Sequence, residues 1–92
     1  MANVAYRIGL VQEVVPAGSQ LERAIEIAEQ IAALAPLAVQ ETKASSRRYI
    51  VEGFDAAVVA LGPTQKKLLA SEDAGEGVQS FIERRSAVFK GR

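Results

Sequence analysis

The chain contains neither cysteine nor histidine, and each absence excludes a class of chemistry. Without cysteine there can be no disulfide, no thiolate metal ligand and no cysteine nucleophile. Without histidine there is no imidazole to act as a general base, to activate a serine or to bind a metal. Because a cysteine-free chain suits a reducing compartment, we expect a cytoplasmic protein.

The chain also lacks an excess of charge of either sign, since eleven Lys and Arg residues balance eleven Asp and Glu residues. A protein that binds nucleic acid needs basic side chains in excess to neutralise phosphates. No apolar run approaches the roughly 20 residues that cross a bilayer. The start, "MANVAYRIGL", lacks the layout of a signal peptide. We therefore expect no nucleic-acid partner and no membrane partner.

Aromatic residues are scarce, at 5% of the 92 residues, whereas apolar residues make up 49% and charged residues 24%. This balance is typical of a globular chain, and the length favours one domain. Alanine and aliphatic side chains must then form the core. We expect that core to be marginal, because small side chains bury little apolar area and short chains bury a small share of their surface.

The spacing of apolar residues predicts a mainly α-helical fold, with at most one short strand. A short strand or an extended segment is expected near residues 10–15, which are rich in valine and are followed by Pro16. Residues 2–8 have room for one or two helical turns. Four longer helices are predicted near residues 19–35, 36–52, 54–70 and 73–85.

Proline residues and short polar motifs mark the helix ends. Pro36 suits the first turn of a helix, whereas Gly62-Pro63 lies inside a predicted helix and predicts a kink or a break. Two capping pairs are predicted by their spacing. They are Ser19 with Glu22, and Asp73 with Glu76.

The sequence near the C-terminus contains two clusters with competing interpretations. Glu72, Asp73 and Glu76 could do acid–base work, but acidic residues are also typical of a helix start, and we favour that interpretation. Basic residues follow the last helix and could bind an anion, although such residues often only solvate a helix end. These basic residues are Arg84, Arg85, Lys90 and Arg92.

Three stretches, in this order and at these distances, carry a family resemblance. They are "RIGLVQEVVP" at 7–16, "IAALAPLAVQETKAS" at 31–45 and "SEDAGEGVQSFIERRSAVFKGR" at 71–92. Together they resemble the C-terminal part of the enoyl-CoA hydratase/isomerase (crotonase) superfamily. The resemblance implies that residues 1–92 form a C-terminal helical domain, and that the N-terminal spiral domain with its oxyanion hole and acid–base residues is absent.

The same resemblance implies functions for individual residues. Arg84 matches the basic position that contacts the CoA phosphate in relatives, Phe81 matches the aromatic of that motif, and Lys43 matches the lysine of a T-K motif. No catalytic residue and no metal ligand is carried over. The implied ligand is a coenzyme A thioester, as the substrate of the parent protein and not as a tightly bound cofactor. The isolated chain is expected to be inactive as a hydratase or isomerase.

A homo-oligomer is also expected, because one short chain cannot bury all of its large apolar side chains. The helices near 54–70 and 73–85 are expected at the contact, with Gly62-Pro63 as a hinge for domain swapping. The alternative is a free-standing helical protein-interaction module without catalytic activity. The apolar side chains concerned are Ile25, Ile31, Phe54, Val58, Leu61, Leu68, Leu69, Val78 and Phe81.

Overall fold

The computed structural model describes all residues from 1 to 92 and contains five α-helices and no strand. The predicted mainly α-helical fold is therefore confirmed. None of the helices combines the length and the apolar character that crossing a bilayer requires. The helices are α1 (Ala2–Arg7), α2 (Gln20–Ala32), α3 (Pro36–Glu52), α4 (Phe54–Leu69) and α5 (Glu72–Glu83).

No strand forms near residues 10–15, an outcome that the prediction of at most one short strand allowed. The amides of Leu10 and Val11 both donate to the carbonyl of Ala5, at 2.9 and 3.4 Å, so the chain turns back on the end of α1. Gly9 makes this turn possible with a φ of 78°. A β-prone sequence forms a strand only when a second strand pairs with it, and no residue of this chain is in a strand.

The chain divides into two compact units, Met1–Gln30 and Ile31–Arg92. In the first unit, Arg23 on α2 donates from Nε to Glu13 and from Nη1 to Glu26, both at 2.8 Å. These two hydrogen bonds raise the pKa of the Arg23 guanidinium. The pairing fixes the irregular segment before α2 against the first turns of that helix.

The predicted capping box at the start of α2 does not form. The amide of Ser19, which Glu22 would have to reach, donates instead to the carbonyl of Pro16 at 3.0 Å. The side chain of Gln20 accepts from the amide of Gly18 at 2.9 Å. A proline turn therefore satisfies the amide of Ser19 that the capping box would have used, and the glutamine satisfies the amide of Gly18 before it.

In the second unit, α3 and α4 pack against each other and α4 contacts α5. Gly53 joins α3 to α4 with a φ of 93°, a conformation that favours glycine. Its amide donates to Tyr49 and its carbonyl accepts from Ala57, so one residue ends one helix and begins the next. The ammonium of Lys67 also bonds to Glu41 at 2.8 Å and lowers the pKa of that carboxyl.

The helix α4 runs through Pro63 without a break. The predicted break at Gly62-Pro63 is absent because the fixed φ of proline is compatible with a helix, whereas the alternative of a kink stays a prediction. The cost is local, since proline removes one amide donor and leaves the carbonyl of Val59 without its helical partner. The domain-swapping hinge expected at Gly62-Pro63 stays a prediction.

Replacing Pro63 by alanine should stabilise the second unit by about 2 kcal/mol. Alanine restores the hydrogen bond to Val59, and this gain exceeds the lost restriction of the unfolded chain. The measurement is the urea midpoint followed by helical circular dichroism. As a matched comparison, Gly62→Ala should give only about 1 kcal/mol, because its new methyl group meets nothing within 4 Å. An equal or smaller gain for Pro63→Ala would contradict this account.

No hydrophobic side chain of the chain is buried. The two buried residues are polar, Asp73 at 4% exposure and Ser80 at 6%. The expected core of alanine and aliphatic side chains is therefore not formed within these 92 residues. Large apolar side chains of α3 and α4, such as Tyr49, Phe54 and Val59, are instead more than half exposed. Apolar surface of this extent favours contact with further protein.

Candidate functional site

The start of α5 is capped by Ser71, whose Oγ accepts a hydrogen bond from the amide of Ala74 at 3.1 Å. Glu72 and Asp73 lie in the first turn, where carboxylates complement the helix dipole. The predicted capping pair of Asp73 with Glu76 is therefore a misassignment. The helix begins one residue earlier than predicted. The carboxylates of Asp73 and Glu76 bind residues 84–92, which we call the C-terminal segment.

The end of α5 is a Schellman motif centred on Arg84. This residue has a φ of 54° and a ψ of 44°, in the left-handed region. Its amide donates to Phe81 at 3.3 Å, and the amide of Arg85 donates to Ser80 at 3.0 Å. Arg84 is the one residue other than glycine with a positive φ. A side chain in this conformation costs about 1 kcal/mol relative to glycine.

Asp73 holds the far end of the C-terminal segment. Its Oδ1 accepts from the amide of Lys90 and its Oδ2 accepts from the amide of Gly91, both at 2.8 Å. The amide of Asp73 in turn donates to the carbonyl of Arg92 at 2.9 Å. Both carboxylate oxygens and the backbone of this buried residue are thus bound by the segment.

Glu76 holds the near end of the C-terminal segment. It accepts from the amide of Val88 at 2.9 Å and from both terminal nitrogens of Arg85. The hydrogen bond from Arg85, followed by that from Val88, lowers the pKa of Glu76 to about 2. Arg85 also pairs with Glu83 through Nε. Because its guanidinium bonds two carboxylates, Arg85 is not available for a ligand.

The carboxyl of Glu76 should titrate with a midpoint near pH 2 in an NMR pH titration. Its folded pKa lies below the ordinary value of 4.5, so the interaction stabilises the segment fully above about pH 4.5. That contribution is lost as the pH falls from there through about 2. In Arg85→Gln, the midpoint should move up toward the ordinary value. An unchanged midpoint in that variant would assign the lowered pKa to another cause.

The three candidate binding residues are all exposed. Phe81 is 84% exposed and lies on the last turn of α5, three positions before Arg84. Lys43 lies on α3. The side chains of Arg84 and Lys43 take part in no ion pair, whereas Arg85 and Arg92 pair with glutamates. The structure thus brings Phe81 and Arg84 together at one helix end, with Lys43 on another helix.

A groove of about 770 Å³ lies between α3 and α4, and the sequence interpretation did not identify it. Its single carboxylate is Glu41, which is paired with Lys67. The signal for this groove lies in the apolar residues at helical spacing on both sides of Gly53. The lining residues are Glu41, Thr42, Ser45, Ser46, Tyr49, Ile50, Phe54, Ala57, Val58, Leu61, Thr64, Gln65 and Leu68.

These features define a helical domain with exposed apolar faces and a C-terminal segment tethered to α5. The enoyl-CoA hydratase/isomerase family model matches residues 1–92. The chain therefore belongs to the enoyl-CoA hydratase/isomerase family, as the resemblance implied.

Individual relatives agree with this assignment. The chain is 34% identical over 91 residues to 2,3-dehydroadipyl-CoA hydratase of Escherichia coli (strain K12), covering 99% of this chain and 36% of that protein. It is 40% identical over 95 residues to carnitinyl-CoA dehydratase of Proteus mirabilis (strain HI4320), with the same coverage of 99% and 36%. The chain thus spans about a third of the length of these relatives.

Solved structures give the same result for the fold. A probable enoyl-CoA hydratase/isomerase from Mycobacterium abscessus superimposes with a TM-score of 0.93 at 50% identity, over 96% of this chain and 34% of that chain. Enoyl-CoA hydratase from Mycobacterium tuberculosis H37Rv superimposes with a TM-score of 0.90 at 33% identity, over 99% of this chain and 36% of that chain. The helical arrangement of residues 1–92 therefore occurs within larger chains of this family.

Proposed function

We propose that this chain acts as the C-terminal helical domain of an enzyme for acyl-CoA thioesters, where it contributes to CoA binding and to subunit assembly. The chemical step in this proposal belongs to residues outside 1–92. Family membership and the CoA-thioester hydratases and dehydratases among the relatives support the substrate class. The observation that carries the proposal is the state of Arg84, an exposed and unpaired cation at a helix end where glycine would be favoured.

Arg84 has the chemistry that a CoA phosphate requires. A guanidinium presents a planar fork that can donate two parallel hydrogen bonds to phosphate oxygens. The neighbouring Arg85 has the same fork, but Glu76 and Glu83 already accept from it. In this proposal Phe81 offers an apolar ring next to the phosphate contact, and Lys43 adds a second cation.

Replacing Arg84 by glutamine should weaken CoA binding to the chain by about threefold to tenfold, since one charge-assisted contact to an exposed phosphate is lost. NMR titration with coenzyme A measures this. Arg7→Gln is the charge-matched control, because Arg7 is an exposed and unpaired arginine on α1. If the two variants weaken CoA binding equally, the attraction is a general charge effect and the proposed contact is wrong.

Arg84→Gly provides a second control that separates binding from stability. Glycine relieves the left-handed backbone, so the unfolding midpoint should stay the same or rise while CoA affinity falls. A loss of affinity together with a lower midpoint would indicate that Arg84 acts only through folding.

A further inference from the structure

The acidic residues at the start of α5 do more than complement the helix dipole. Asp73 and Glu76 also accept hydrogen bonds from three backbone amides of the C-terminal segment, those of Val88, Lys90 and Gly91. Residues 84–92 form no helix or strand, so these amides have no partner from regular secondary structure. Side-chain carboxylates supply the missing acceptors.

From this arrangement we infer that Asp73 is a positioning residue that latches the C-terminal segment and thereby fixes Arg84 for its phosphate contact. The second half of this inference rests on the proposed function. Asp73 is one of only two buried residues in the chain, at 4% exposure. A buried carboxylate is stable only when hydrogen bonds replace its lost water, and the two segment amides supply them.

Gly91 forms the other side of this latch. Its φ is 76°, and a Cβ placed on it would lie 3.7 Å from both Cβ and Cγ of Pro36, at the start of α3. The segment is thus held between a carboxylate of α5 and the first residue of α3. A side chain at position 91 would be strained by its backbone conformation, while its Cβ would only make an ordinary van der Waals contact with Pro36.

The latch acts on Arg84 through a short stretch of chain. Arg84 begins the segment whose end Asp73 holds, and Glu76 binds Arg85 and Val88 between the two points. When Asp73 releases its amides, the segment gains conformations in which Arg84 is directed elsewhere. The apparent affinity for a phosphate then falls in proportion to the fraction of molecules that keep the competent arrangement.

Asp73→Asn tests the latch with little change in size. One side of the asparagine presents an NH₂ group to a backbone N–H, so one acceptor is lost. Amide hydrogen exchange at Lys90 and Gly91 should accelerate by about tenfold or more, and CoA affinity in NMR titrations should fall by about threefold or more. Saturating CoA should restore protection to these amides, which a merely structural role of Asp73 would not predict.

Glu72→Gln is the matched control, because Glu72 lies in the same helical turn, carries the same charge and pairs only with the exposed side chain of Arg92. It should leave the exchange of Lys90 and Gly91 unchanged. Gly91→Ala disturbs the backbone that Asp73 binds while Asp73 itself is unchanged. It should reproduce both the faster amide exchange and the weaker CoA affinity. If Asp73→Asn fails to fold, Gly91→Ala decides the question.

The outcomes separate the latch from the proposed function. If neither Asp73→Asn nor Gly91→Ala changes exchange at Lys90 and Gly91, the latch is wrong. If exchange accelerates while CoA affinity stays at the wild-type value, Asp73 does not position Arg84, although the Arg84→Gln result still stands by itself. If Arg84→Gln leaves CoA affinity unchanged, the proposed CoA contact fails, and the exchange data still test the latch.

Discussion

Purified residues 1–92 should hydrate crotonyl-CoA at least about 10⁶-fold more slowly than an active enzyme of this kind. Hydration of an enoyl thioester needs a base for the attacking water, an acid for the α-carbon and donors for the oxyanion that develops on the carbonyl. Loss of the ultraviolet absorbance of the conjugated thioester measures the reaction. Turnover above a heat-killed control would overturn the prediction.

The electrostatics of the carboxylates support this expectation. A general base works best when its pKa lies near the operating pH, which burial in apolar surroundings achieves for a carboxyl group. The pKa of Glu76 is instead lowered to about 2 by Arg85 and Val88. In the groove, hydrogen bonding by Lys67 lowers the pKa of Glu41. Asp73 has both oxygens occupied by backbone amides. These carboxylates are arranged to hold the structure.

Sequence patterns predicted those parts of the fold that depend on neighbouring residues. The helix predicted at 36–52 has the observed bounds, because proline at its start and glycine after its end act within one turn. No strand forms near 10–15, because strand formation depends on a distant partner that a valine-rich sequence does not supply. Pro63 does not end α4, because the fixed φ of proline is compatible with a helix.

The candidate site also contains residues that the sequence identified and contacts that it did not reveal. Arg84 and Phe81 came from a motif resemblance, and nothing in helical periodicity marks Arg84 as a left-handed residue. The partners of Asp73 lie 17 and 18 positions along the chain, and an irregular segment has no periodicity that would reveal them. The spacing of Asp73 and Glu76 instead matched a capping pair, and this local signal concealed their contacts with the C-terminal segment.

A charge placed in the groove between α3 and α4 is expected to cause the largest decrease in the molar mass of the assembly. We propose that the wild-type chain forms a homo-oligomer through this groove. Two observations support this proposal: no hydrophobic side chain is buried within one chain, and the groove offers an apolar surface to a second copy. Val58→Glu should then shift the oligomer to monomers of 9.8 kDa in light scattering. Burying an unpaired carboxylate should weaken association by at least about 100-fold.

Val59→Glu is the matched control for this experiment. Val59 follows Val58 directly on α4 and is 78% exposed, but it does not line the groove, whereas Val58 does. Its substitution adds the same charge to the same helix, and the oligomer should persist. Equal dissociation in both variants would indicate general charge repulsion and not a contact in the groove. A wild-type chain that stays monomeric at high micromolar concentration would show that the exposed apolar faces do not drive self-association, and the proposed assembly would be wrong.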